Sequence, residues 1–181
     1  MTARVRSRLV AAGAAAVLLG AGSTASGAAA GGRALEGGGE GPLYTMGFET
    51  FAAGKGYWFT CPRLTNRSSE PVEVLGAELA GPPAQWRTGE VRAVDWGGES
   101  VGMGAYDEDF ATTPVMREDH SGRPVRIGPG ELSTVTYLVR AEPRSKSAAG
   151  RAAGCRITYR SAHRVYVEEL GADFFLGPMR G

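Results

Sequence analysis

The segment from Cys155 to Arg160 alternates without a break: Cys155, Ile157 and Tyr159 fall on one side, Arg156, Thr158 and Arg160 on the other. Successive side chains of a strand point to opposite faces, so this pattern describes a half-buried strand with its cysteine turned inward. The same two-residue period returns in Leu132 to Ala141 (LSTVTYLVRA), which places Val135, Tyr137 and Val139 together, and in Tyr57 to Thr65, which places Tyr57, Phe59 and Cys61 together. Val72 to Leu79 is a further strand with Gly76 at a bulge, and Val165 and Val167 form a hairpin with Cys155–Tyr159 across a turn at Ser161 to His163. Weaker strand signals lie at 43–51, 90–94, 125–127 and 173–176. No segment beyond the first 41 residues sustains an apolar period of 3.6. Short strands at turn-rich spacing with no helices between them exclude a βαβ fold and predict an all-β, antiparallel sandwich of about seven to nine strands.

The start of the chain has a different character. Arg4, Arg6 and Arg8 precede an apolar run from Leu9 to about Gly22, followed by small residues as far as Ala30. These are the three regions of an export signal, with Ala28 and Ala30 suited to cleavage before Gly31. Earlier cuts near Ala25 or Gly27 also fit, and an uncleaved N-terminal membrane anchor is the alternative, although glycines dilute the run needed to span a bilayer. Residues 31–41 (GGRALEGGGEG) have too little apolar surface to offset their ordering entropy and read as a flexible leader. The folded domain is therefore expected over 42–181, in a secreted and monomeric protein.

Export gives meaning to Cys61 and Cys155, the only two cysteines among 181 residues. An oxidising exterior favours a disulfide between them over free thiols or a metal site. The absence of a CxxC motif or an adjacent histidine argues against redox or zinc chemistry. The formal charge of +1 argues against a nucleic-acid binder. Without residues 1–30, which hold three arginines and no acids, 17 basic and 19 acidic residues remain, a net charge of −2.

The run Leu64 to Val74 (LTNRSSEPVEV), followed by Ile127-Gly128-Pro129-Gly130-Glu131 and the strand Thr134 to Tyr137, resembles secreted bacterial immunoglobulin-like domains. An L-x-N-x-S-x-x-P-V strand-turn-strand and a PGE turn before a strand recur in that broad group, and the resemblance covers residues 56–141. It implies a β-sandwich used for adhesion, carriage or assembly, with no shared catalytic residues. The chain departs from antibody-type domains: Ala153 stands two residues before the second cysteine, where a tyrosine corner would place Tyr.

Two charged regions are candidate contact surfaces for an unidentified protein or an envelope polymer. Residues 97–124 carry six acids against Arg117 and Arg123, a local charge of −4, with Tyr106, Asp107, Glu108, Asp109 and Phe110 interleaved at the centre. A structureless segment of that length inside a domain is often functional. Residues 140–164 carry seven bases and one acid, +6 in all, with Arg156 and Arg160 on one outward strand face. The competing readings are a solvated loop with its aromatics tucked into the core, and a solvent face that maintains solubility and blunts a sheet edge. Three chemical alternatives stand against a non-catalytic, cofactor-free module. Gly98-Glu99-Ser100-Val101-Gly102 matches a hydrolase nucleophile elbow with Asp119 and His163 downstream, but no parallel strand and helix flank it. Asp107, Asp109 and Asp119 offer calcium ligands without a calcium-loop spacing, and Met103, Met116 and His120 offer copper ligands without a compact set. Asn66-Arg67-Ser68 is a glycosylation sequon.

Overall fold

The computed structural model describes residues 33–37, 44–96 and 104–179. The export signal with its cleavage positions, the expected domain start at Pro42, the Ser100 elbow and Met103 lie outside these residues. The described residues form eleven strands: β1 (Leu35–Glu36), β2 (Thr45–Phe48), β3 (Tyr57–Thr60), β4 (Thr65–Asn66), β5 (Val72–Leu79), β6 (Trp86–Asp95), β7 (Ala105–Asp107), β8 (Val125–Ile127), β9 (Val135–Pro143), β10 (Gly150–Ser161) and β11 (Arg164–Leu176). Two 3-10 turns, Glu108–Thr112 and Pro114–Arg117, are their only helical segments. The protein is all-β, as the period of two predicts.

The strands assemble into a five-stranded sheet in the order β2-β11-β10-β5-β8, a four-stranded sheet in the order β6-β9-β3-β7, and the small pair β1-β4. Every pairing is antiparallel except that of β2 with β11. The two larger sheets share one buried core. Phe59, Tyr137 and Val139 enter it from the four-stranded sheet, and Val74, Ile157, Tyr159 and Phe174 enter from the five-stranded one. The Phe59 ring stacks on Phe174 at 5.0 Å and on Trp86 at 6.2 Å. The buried Trp86 indole N–H donates to the Ala148 carbonyl at 2.7 Å, which offsets the cost of taking it out of water.

Cys155 on β10 is bonded to Cys61, which directly follows β3, with Cα atoms 5.7 Å apart. The bridge therefore joins the two sheets through the core, where both cysteines are fully buried. The turn chemistry also forms as expected. The Glu131 N–H closes the turn at Gly128 with a 3.1 Å bond, and the register of β5 against β10 slips so that Leu75 is the extra residue beside Gly76. A second irregularity lies in β10, between Ala152 and Gly154. Gly154 has φ +117°, and a Cβ there would lie 2.1 Å from the Leu170 carbonyl oxygen, so only glycine fits.

Two expectations need correction. Residues 35–36 fall in the stretch read as a flexible leader, yet they form β1, and Leu35 is 3% exposed within the main core. Composition averages over a window, and a single anchored leucine among glycines is lost in the average. The strand count also exceeds nine, because β1, β4 and β7 contain only two or three residues and are too short to show a period. The sequon is structural: Asn66 is fully buried. Its Nδ2 donates to the carbonyls of Glu70 and Ile127, and its Oδ1 accepts from the Ser68 N–H and hydroxyl.

Candidate functional site

In β3 all four residues are buried, including Trp58 and Thr60, which alternation turns away from the core; in β9 the same holds for Thr136 and Leu138. Strands apolar on both faces must be covered on both faces. The cover here is the stretch after β7. Its two 3-10 turns lie over the outer face of the four-stranded sheet, and Met116 is fully buried against Trp58, Val94 and Leu138. Trp96, Tyr106, Phe110, Ala111 and Val115 pack around this second cluster. Much of the region expected to be structureless is therefore an ordered cover with a strand and two turns of its own.

Side chains of the sheet hold the cover in place. Arg92 on β6 lies over the Trp58 ring, 5.2 Å from its centre. It also donates to the carbonyls of Met116 at 2.9 Å and Ala111 at 3.4 Å. Arg140 on β9, whose side chain is 17% exposed, meets Glu142 at 3.0 Å, Glu108 at 3.1 Å and Glu90 at 3.6 Å. Arg87 pairs with the other side of Glu142, and Lys55 with Asp107 at 3.0 Å. At the far end, Asp119 accepts the Ala93 N–H at 3.0 Å, and the His120 N–H bonds back to the Ala93 carbonyl at 2.7 Å. This last pair of bonds occupies backbone groups of edge strand β6 that would otherwise be open to another chain.

These contacts set the acidity of the carboxyls. The hydrogen bond from Arg87, reinforced by Arg140, holds Glu142 below the ordinary carboxylate range. The Lys55 hydrogen bond does the same for Asp107. Burial pushes Asp119 up, but the N–H groups of Ala93 and Ser121, the Ser121 hydroxyl and the Arg92 charge together bring it below that range. The indole N–H groups of Trp58 and Trp96 find no acceptor among the described residues.

The candidate residues at the centre of the acidic stretch are thus distributed among several jobs. Asp107 pairs with Lys55, just before β3, and Glu108 with Arg140 of β9. Asp109 is exposed on the first 3-10 turn. Tyr106 and Phe110 stack at 3.9 Å with planes 13° apart, and both remain partly exposed. Sequence reasoning overlooked Lys55 and Arg92 and counted Arg140 only within the basic stretch, although the apolar runs Tyr57-Trp58-Phe59 and Tyr137-Leu138-Val139 already signalled a second packed face. Of the proposed copper ligands, Met116 is buried under the cover and His120 lies against Arg123. The proposed calcium ligands are not brought together: among the described residues no group of three His, Cys, Asp or Glu side chains is arranged to hold a metal ion.

The basic stretch looks different in three dimensions. Arg156 pairs with Glu169 of β11 at 2.7 Å and with Glu78 of β5 at 3.0 Å. Arg160 pairs with Glu73 of β5 at 2.8 Å, and Arg151 with Asp173 of β11 at 2.6 Å. The outer face of the five-stranded sheet is a ladder of alternating charge built from cross-strand pairs, not a basic strip. No protein-family model, curated protein or solved structure matches this chain.

Proposed function

We propose that the chain is an exported immunoglobulin-like β-sandwich that acts, without catalysis or cofactor, as a monomeric binding module at the cell envelope or outside the cell. Three features support the immunoglobulin-like reading. A disulfide joins the two sheets through the core. The order β11-β10-β5 is that of the G, F and C strands of such domains, and β6-β9-β3 that of D, E and B. On this lettering the bridge runs between the B and F strands, where antibody domains carry theirs.

Support for export comes from the same bridge, since structural disulfides persist in oxidising compartments, together with the signal-like composition of residues 1–30. Among the described residues no helix is long and apolar enough to cross a membrane.

The observation that carries the binding role is the stacked Tyr106–Phe110 pair on a cover clamped by Arg92 and Arg140. Partly exposed aromatics on a rigid support offer contact area at little ordering cost, whereas the paired charges of Arg156 and Arg160 must be desolvated to meet a partner. The partner is a protein or envelope polymer that meets aromatic rings beside the exposed Asp109. The test is capture from envelope extracts by the purified chain. Tyr106→Ala/Phe110→Ala should abolish capture while Arg156→Gln/Arg160→Gln leaves it unchanged, and the reverse pattern would move the site to the charged ladder. Labelling of Ser100 by a fluorophosphonate probe would overturn the non-catalytic reading.

A further inference from the structure

Two aromatic rings of this molecule are met by arginine in the same way. Arg92 lies over the Trp58 ring, 5.2 Å from its centre, with a Glu90 carboxylate oxygen 3.8 Å from the guanidinium. Arg151 lies over the Phe175 ring at 5.4 Å, and two of its nitrogens donate to the two oxygens of Asp173 at 2.8 and 2.6 Å. The face of each ring carries the negative part of its quadrupole and the carboxylate adds a full negative charge, so one planar cation satisfies both. The Tyr106–Phe110 stack has a carboxylate of the same kind beside it. Asp109 and Phe110 are neighbours on the first 3-10 turn, where the Thr112 and Thr113 hydroxyls donate to their carbonyls at 2.8 and 2.7 Å. Of the three consecutive acids, Asp107 is bonded to Lys55 at 3.0 Å and Glu108 to Arg140 at 3.1 Å. The exposed Asp109 has no ion pair among the described residues. Lys55 lies within electrostatic reach of Asp109, but its nitrogen is turned to Asp107. Among the described residues no arginine or lysine is placed over Phe110.

We propose that the partner at this surface is a protein segment presenting an arginine, whose guanidinium lies on the exposed side of the Tyr106–Phe110 stack and bonds to the Asp109 carboxylate. The inference rests on the binding surface proposed above and narrows its partner to one chemistry. The grounds are charge complementarity and the two ring, carboxylate and guanidinium sets that the molecule builds for itself at Trp58 and Phe175. An anionic polymer is repelled by the ring faces and by Asp109 alike. A lysine ammonium meets the carboxylate but has no planar group to lay on the rings. A neutral glycan gains the ring contact and leaves the Asp109 charge without a cation. The turn and the stack are held in place by bonds within the chain, so little ordering opposes the contact.

The test is titration of the full chain with a pentapeptide of arginine blocked at both ends, read from the NMR shifts of the Thr112 and Thr113 amides. A blocked pentalysine and an oligomer of N-acetylglucosamine serve as comparisons. The arginine peptide should bind about five- to tenfold more tightly than the lysine peptide, and the glycan should leave both amides unmoved. Asp109→Asn, which removes a charge used by no ion pair among the described residues, should weaken the arginine peptide about tenfold. Phe110→Ala should abolish its binding, and Arg156→Gln/Arg160→Gln should leave it unchanged. Equal affinity for the two peptides, an Asp109→Asn chain that binds as the wild type does, or shifts caused by the glycan would overturn the proposal. If the arginine peptide fails while capture from envelope extracts still depends on Tyr106 and Phe110, this assignment alone falls; if capture fails as well, the binding surface falls with it.

Discussion

Replacing both Cys61 and Cys155 by alanine tests what the crosslink between the two sheets contributes to stability. The bridge spans 94 residues of sequence, a long loop for one crosslink. In the chain-entropy description, closing a loop of that length restricts the unfolded ensemble by about 4 to 5 kcal/mol at 25 °C. Both cysteines are fully buried, so the alanine pair also removes two sulfur atoms from the core, an effect of the same sign. The domain should still fold, because Phe59, Trp86 and Phe174 continue to join the sheets. Urea unfolding followed by fluorescence is a direct assay. With a slope of about 2 kcal/mol/M, the midpoint should fall by about 2 M, and the thermal midpoint by roughly 10 to 20 °C. Since the crosslink acts on the unfolded chain, the slope itself should rise as the variant exposes more surface. A loss below about 2 kcal/mol with an unchanged slope would refute the loop-closure argument.

Three further outcomes are expected. Met116→Ala should cost about 2 to 4 kcal/mol by unfolding titration, as for a buried methionine, whereas a cover that is only a solvated loop would lose less than about 0.5 kcal/mol. Replacing Ala162-His163 by Asn-Gly should stabilise the domain by about 1 to 2 kcal/mol, because both residues hold positive φ (45° and 69°) in the β10-β11 turn and the new pair prefers that conformation; a loss of stability would contradict this. Stability should fall on acidification once the pH drops through the depressed values of Glu142, Asp107 and Asp119, since contributions from lowered carboxyls are present above their unfolded values and disappear as they protonate. Unfolding titrations that stay level between pH 5 and pH 2 would exclude these carboxyls as supports of the cover.

The inward positions of the long strands were legible in the sequence because burial on one side imposes a period of two: Cys155, Ile157 and Tyr159 are all buried, as are Val135, Tyr137 and Val139. The disulfide partner was legible because only one pairing exists. What escaped was everything set by distant segments. Arg160 meets Glu73 across 87 residues of sequence, so a local charge sum could only report a basic stretch. β6 showed itself only from Glu90 to Val94 because its outer half, Arg87 to Glu90, is exposed and its register slips between Thr88 and Val91. The cover was hidden because its anchors are single residues such as Met116, without a period, and the sheet arginines that fix it lie on β6 and β9.

The pairing pattern also bears on how fast this chain can reach its native state. Among the described residues, β10 and β11 are the only consecutive strands that pair with each other; β3 must find β9, β5 must find β10, and β2 must find β11. Loop-closure entropy is therefore spent before most contacts can form, which places folding in the slow class of milliseconds to seconds. The one local hairpin carries its turn on Ala162 and His163, residues ill suited to nucleate it. A chain arranged in this way closes its sheets late, and for the exported module proposed above that delay favours the extended, threadable form that a narrow translocation channel demands.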